Sequence, residues 1–209
     1  MSLIQSFENY QRELAPGLLL RSMTRDEFKV HWTSHYPQVF SERIRVDTQL
    51  LMSKAEQLQM EELGSLMGNP LCLRLGVFER GDFIGWHIGD QKSREEFYMR
   101  NTGILPAHQG RGVYPMILKA VLELTSELGF QVISSKHNAT NNRVIIPKLR
   151  AGFIISGLEI SDRFGTMVRL EYFNNQWRRE LMDLRSGQRD DLSDSMRQFM
   201  DAAQTNQSK

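Results

Sequence analysis

Cysteine is nearly absent: Cys72 stands alone among 209 residues. That excludes an intramolecular disulfide and suits a reducing compartment. Set in Leu71-Cys72-Leu73, the thiol reads as strand packing rather than as a nucleophile. Charge of one sign is also missing. Lys and Arg number 26 against 25 Asp and Glu, a formal +1, so there is no electrostatic case for nucleic acid or an anionic membrane as partner. No apolar run approaches the length of a membrane span. The first residues lack the basic stretch of a secretory signal, and the expectation is a soluble, cytoplasmic protein. Metal motifs are lacking too. His31 and His35 stand four apart on an expected helix, but no third ligand follows at metal spacing and there is no His-Glu-x-x-His, so no metal is expected. Ser134, Ser135 and His137 have no orienting acid and no nucleophile elbow. Without repeats or low-complexity segments, the length suits one domain with appended helices.

What is present is a succession of changing hydrophobic periods. Leu3, Phe7, Tyr10 and Leu14 recur at helical spacing, which predicts a short N-terminal helix ended by Pro16-Gly17. Leu18-Leu19-Leu20 is fit for a first strand. Thr24-Arg25-Asp26-Glu27 has the form of a capping box, with Phe28, Trp32 and His35 on one helix face until Pro37 breaks it. A longer helix is expected over residues 41–64, with Ile44, Leu51, Ala55 and Leu58 as its buried stripe. Three strands then read over residues 71–78, 83–88 and 96–105, the first two joined by an Arg80-Gly81-Asp82 turn. A helix over residues 113–128 ends at Gly129, and a strand covers 130–134. A helix after Asn141 ends at Gly152, and Phe153 opens a last hairpin that returns over 167–173. Beyond Tyr172 the chain turns polar: Trp177 and Leu181 mark one helix, Leu192, Met196, Phe199 and Ala203 another. Residues 176–209 thus read as a polar helical extension, packed on its own domain or else on a partner chain, and frayed at its end.

The most informative stretch runs from Thr102 to Pro115. It reads as a strand, a Gly-rich turn and a helix start, where unpaired backbone N–H groups and the helix dipole favour a diphosphate. A P-loop would need Gly-Lys-Ser/Thr, and here Val113 and Tyr114 follow the second glycine. A dinucleotide fingerprint would need glycine at the position of Pro115 and an acid about 20 residues on. A tight turn with no ligand is the plain alternative. What remains is Ile104-Leu105-Pro106 followed by Gln109-Gly110-Arg111-Gly112-Val113-Tyr114, and roughly 40 residues later Asn141 to Arg150 followed by Ala151-Gly152-Phe153.

These two segments resemble the GCN5-related N-acetyltransferase superfamily, over residues 70–172 and with a plausible start near Leu18. The first matches its central Gln/Arg-x-x-Gly-x-Gly/Ala signature everywhere but the last position, where Tyr114 stands. The second matches its Asn, short helix and Gly-Phe. The resemblance implies an α/β fold with a mixed, mostly antiparallel sheet, splayed between strands 4 and 5 and flanked by helices. It implies an acyltransferase domain over residues 1–175 with a core over 18–173. It implies acetyl-CoA as acyl donor, transfer of acetyl to a primary amine by direct attack in a ternary complex, and a small-molecule or protein amine as acceptor. A homodimer is left open.

It also implies roles by position. Gly110, Arg111, Gly112, Val113 and Tyr114 would hold the pyrophosphate, with Gln109 in the same signature. Ile104 and Leu105 would supply backbone groups to the pantetheine arm, and the Ile104 N–H would face the thioester carbonyl. Asn141 would contact pantetheine or cap its helix. The base expected on the strand of Tyr98 and Arg100 is missing, since neither is a good base near neutrality. Glu96, His137 and His87 are the substitutes weighed. Lys148 stands where a tyrosine acid is usual, and is expected to be either a donor to the departing sulfur or a solvated helix lysine. With base and tyrosine both missing, a non-catalytic acyl-CoA-binding or regulatory module is the alternative.

Overall fold

The computed structural model describes residues 7–40 and 51–207, and side chains as far as residue 202. Strands β1 (Gln11–Ala15), β2 (Leu18–Ser22), β3 (Cys72–Glu79), β4 (Asp82–Gln91), β5 (Glu96–Ile104), β6 (Val132–Asn138), β7 (Ile154–Ser161) and β8 (Gly165–Phe173) form one sheet. Their order is β1-β2-β3-β4-β5-β6-β8-β7. Every neighbouring pair is antiparallel except β5 and β6. Helices α1 (Arg25–Val39), α2 (Lys54–Ser65), α3 (Val113–Glu127), α4 (Asn142–Arg150), α5 (Gln176–Arg185) and α6 (Asp194–Gln207) accompany it. None is long and apolar enough, among the described residues, to cross a membrane.

The sheet separates two apolar layers. Leu73, Leu75 and Val77 of β3 alternate toward the face covered by α3, where Ile117, Leu118, Val121 and Leu124 are buried. Each such side chain contributes roughly 1.5–3 kcal/mol when taken from water. Trp86 and Ile88 of β4 point the other way and pack with Met23 and Phe28 under α1. Trp86 lies across Gly103 of β5: a Cβ there would come within 2.3 Å of the indole, so the strand must be bare at that point.

Several expectations are corrected here. The apolar residues Tyr10 and Leu14 do not continue a helix. Residues 7 and 8 are helical, but Gln11–Ala15 is an extended strand paired to β2 through a turn at Gly17, whose φ is 74°. Pairing with a neighbouring strand outweighs the local helical spacing, and Leu3 lies outside the described residues. Thr24 does cap α1, accepting from the Glu27 N–H, but Glu27 turns to Arg21 at 2.5 Å instead of closing the box. Pro37 does not break α1, which runs through it to Val39. In the last turn the only bond that proline removes is one near the helix end. The long second helix begins at Lys54, capped by Ser53 and Glu56, and buries none of its residues. Leu51 and Leu58 are exposed, and Ile44 lies outside the described residues.

Candidate functional site

Strands β5 and β6 pair only through Glu96, Phe97 and Tyr98, opposite Val132, Ile133 and Ser134. Beyond Tyr98 they part. This is the splay expected between strands 4 and 5; the added N-terminal strand makes them the fifth and sixth. The Leu105 N–H donates to the Ile84 carbonyl at 2.9 Å. Because partners alternate along an antiparallel ladder, the backbone groups of Ile104 and Thr102 then face away from β4, toward the opening. A bulge opposite Ile88 and Gly89 adds Arg100 to β5 and twists the strand at this point.

The opening continues into a cavity of about 1360 Å³ lined by α1, β5, β6, α4 and the first turn of α3. The Gly-rich turn follows β5, and from it and the helix start Tyr114 lines the cavity. Gly110 (φ 75°) and Gly112 (φ 78°) both hold left-handed backbone, which glycine adopts without steric cost. A Cβ on either would meet nothing within 4 Å, so open space lies in front of both. Gly112 is the N-cap of α3 and offers no side chain to its first turn. Among the described residues, no backbone N–H from 110 to 114 donates to a protein carbonyl, and Pro115 has none to donate. The turn is anchored by the Gln109 amide, which donates to the Ile104 carbonyl at 2.8 Å. Arg111 is turned away from those amides: its guanidinium grips Glu79 at 2.6 and 3.0 Å. Val113 is buried in the core. Tyr114 is half-buried against the cavity, and desolvation raises its phenol.

Lys148 is the largest departure from expectation. It is not solvated; it is 1% exposed. Its ammonium donates to Ser135 Oγ at 2.7 Å and approaches Met99 Sδ at 3.3 Å, over the Phe153 ring at 4.6 Å. Loss of water lowers it to about 7, because one hydroxyl is poor compensation for a buried charge. The next link is His137, whose Nε2 lies 3.1 Å from Ser135 Oγ and whose ring lines the cavity. His87 is wholly buried, held by Thr102 Oγ1 at 2.8 Å from Nδ1. Burial, and then the charge of Lys148, depress it to about 3, so it is neutral and is not a base for the cavity. Asn141 stands at the N-cap of α4 without a side-chain capping bond and lines the cavity.

The other candidates lie toward the α1 side. Tyr98 lines the cavity, and burial raises its phenol. Glu96 does not reach the cavity wall. Its carboxylate accepts from Ser134 Oγ at 2.5 Å and from Arg169 at 3.1 Å. From the sequence Ser135 is weighed only as a nucleophile, and Thr102 and Arg74 are given no role. The alternation Ile133, Ser135, His137 is the signal that would have put Ser135 on one side of β6. His31 stacks on Phe83 at 3.9 Å, and among the described residues no three metal-ligating side chains gather. Cys72 is half-buried, its thiol pushed up to about 11 by burial and by Asp90.

No family model matches the chain, and no curated protein matches it in sequence. Solved structures do match in shape. RimL, a ribosomal L7/L12 alpha-N-protein acetyltransferase in complex with coenzyme A, is 14% identical with a TM-score of 0.59, over 78% of this chain and 98% of its own. The ribosomal-protein-S5-alanine acetyltransferase of Vibrio fischeri is 13% identical at TM-score 0.59, over 81% and 99%. A candidate acetyltransferase of Salmonella typhimurium, with its cofactor acetyl-CoA, is 15% identical at 0.55, over 77% and 95%. At such identities the likeness is one of fold. The chain has the architecture of the GCN5-related N-acetyltransferases.

Proposed function

We propose that this protein is an N-acetyltransferase that moves the acetyl group of acetyl-CoA to a primary amine, by direct attack within a ternary complex. The observation that carries the reading is the parted β5–β6 edge headed by a helix start whose amides serve no protein group. Such amides suit a diphosphate, and the space before Gly110 and Gly112 is open to it. Structures of the same fold with coenzyme A or acetyl-CoA bound support this choice of ligand.

Bound there, acetyl-CoA would supply an activated thioester. The chain's own residues do the rest. Amides 110–114 hold the diphosphate. The Thr102 backbone and the Ile104 N–H would align the pantetheine arm, and that N–H would be the donor to the negative charge that grows on the thioester carbonyl oxygen. Asn141 and Tyr114 close the other side. Lys148 Nζ holds a proton that it can pass toward a departing sulfur. A thiol's ordinary value is near 8.5, so a donor lowered to about 7 is well matched to it. Ser135 and His137 connect that ammonium to the cavity. Glu96 is occupied, and burial raises the Tyr98 phenol so that less phenolate is available near neutrality, so His137 is the residue we assign to take up the amine's proton. The buried donor at 148 replaces the missing tyrosine, which weighs against the non-catalytic alternative. A small-molecule amine or a protein amine would fit this reaction equally.

Calorimetry with coenzyme A, followed by thiol release from acetyl-CoA across an amine panel, tests the reading. One-to-one binding and release above the uncatalysed rate with at least one amine are expected. Binding without release for every amine would leave only the non-catalytic module; no binding removes both.

A further inference from the structure

The α1 side of the cavity carries charge of one sign. Arg25 and Lys29, one turn apart on α1, and Arg74 on β3 line it. Arg74 is opposite Ile88 of β4, another lining residue, so it rises from the same face of the sheet. The Met23 N–H donates to the Arg74 carbonyl at 2.9 Å, which fixes the start of α1 beside it. Among the described residues, no Asp or Glu lines the cavity. Glu27 is occupied by Arg21 and Asp90 by Arg100. Among the described residues, Arg25, Lys29 and Arg74 form no ion pair. Arg74 is half-buried, with only a long contact to the Cys72 carbonyl at 3.5 Å. Arg25 and Lys29 are exposed and Arg74 is half-buried; like charges lining one cavity repel one another, most where burial is greatest, so the arrangement gains from an anion.

That anion is not the acyl donor's diphosphate. Arg74 sits two strands from the β5–β6 opening, about 10 Å across the sheet, and on the α1 side, whereas the free amides head α3. We infer that the acceptor is an amine that also bears an anionic group, a carboxylate or a phosphate, seated by Arg25, Lys29 and Arg74. This rests on the acetyltransferase reading and specifies its acceptor. The same cations disfavour polyamines, whose charge they would repel.

The test compares matched amines: glutamate with glutamine for the carboxylate, phosphoserine with serine for the phosphate, and spermidine as cationic control. We expect kcat/KM at least tenfold higher for the anionic member of one pair, and the winning pair tells carboxylate from phosphate. In Arg74→Gln the KM for that amine rises at least tenfold, while coenzyme A affinity by calorimetry is unchanged. Citrate serves as a probe anion independent of turnover: it binds the wild-type protein and binds tenfold more weakly to Arg74→Gln. Preference for spermidine or for the uncharged members overturns the inference and leaves the acetyltransferase reading standing. So does citrate binding that is absent, or equal in both proteins. Coenzyme A that fails to bind while citrate binding depends on Arg74 overturns the acetyltransferase reading and leaves an anion site.

Discussion

At the residue scale, Lys148 concentrates the tension between stability and chemistry. Its ammonium is fully buried with one good acceptor, a costly state that an apolar side chain of similar length would avoid. Lys148→Met is expected to raise stability by about 2 kcal/mol at neutral pH and to lower kcat about tenfold to hundredfold. The pH dependence has a definite sign. The folded-state value is lowered from 10.5 to about 7, so between these the unfolded chain binds more protons and stability rises with pH. That rise, measured by denaturant unfolding, should vanish in the methionine variant. The alkaline fall in kcat expected as Lys148 loses its proton should vanish with it. If the variant is less stable and its pH–rate profile is unaltered, Lys148 is a packing residue only. The sequence held a signal for this burial. Ile145 and Lys148 are three apart and share the inward face of α4, so the face, rather than the residue type, was the better guide.

At the element scale, the start of α3 is where conformation and ligand meet. Gly112 and Gly187 share the same backbone region, with φ of 78° and 73°, and open space where a Cβ would go. Alanine at either costs about 1 kcal/mol in strain. Only Gly112 adjoins the unclaimed amides. Gly112→Ala is therefore expected to weaken coenzyme A at least tenfold by calorimetry, whereas Gly187→Ala leaves affinity unchanged at a similar loss of thermal stability. Equal affinities would detach the turn from the ligand. The same element explains why this turn was the most legible part of the chain. A Gly-rich turn between strand and helix is dictated locally, by φ and by free amides. So were β3, β4 and their turn at Arg80, whose φ is 52°. Elements that depend on partners were less legible: Gln11–Ala15 is a strand because β2 lies beside it, and α2 has an apolar stripe that stays exposed.

At the scale of the whole molecule, the sheet must be closed at one end of the β5–β6 pair and open at the other, and the C-terminal helices act at the closed end. Arg179 of α5 donates to the Gly152 carbonyl ahead of β7 at 2.5 Å. Arg178 reaches Glu95 just before β5 at 2.9 Å, and the Glu95 carbonyl in turn receives the N–H groups of Gln131 and Val132 that start β6. Trp177 stacks on Phe199 of α6 at 5.3 Å, with Met196 buried alongside. The exposed ion pair is worth little by itself; the charged bond to a backbone carbonyl and the aromatic packing contribute more, about 2–4 kcal/mol together. We propose that the helices over residues 176–202 staple the paired end of the splay and take no part in the diphosphate cradle, which heads α3 beyond the open end. Truncation after Asn175 should then lower the melting temperature by several degrees and leave coenzyme A affinity within about threefold. An unchanged melting temperature would mean that the extension serves a partner. A lost affinity would mean that parting the strands at one end depends on clamping them at the other.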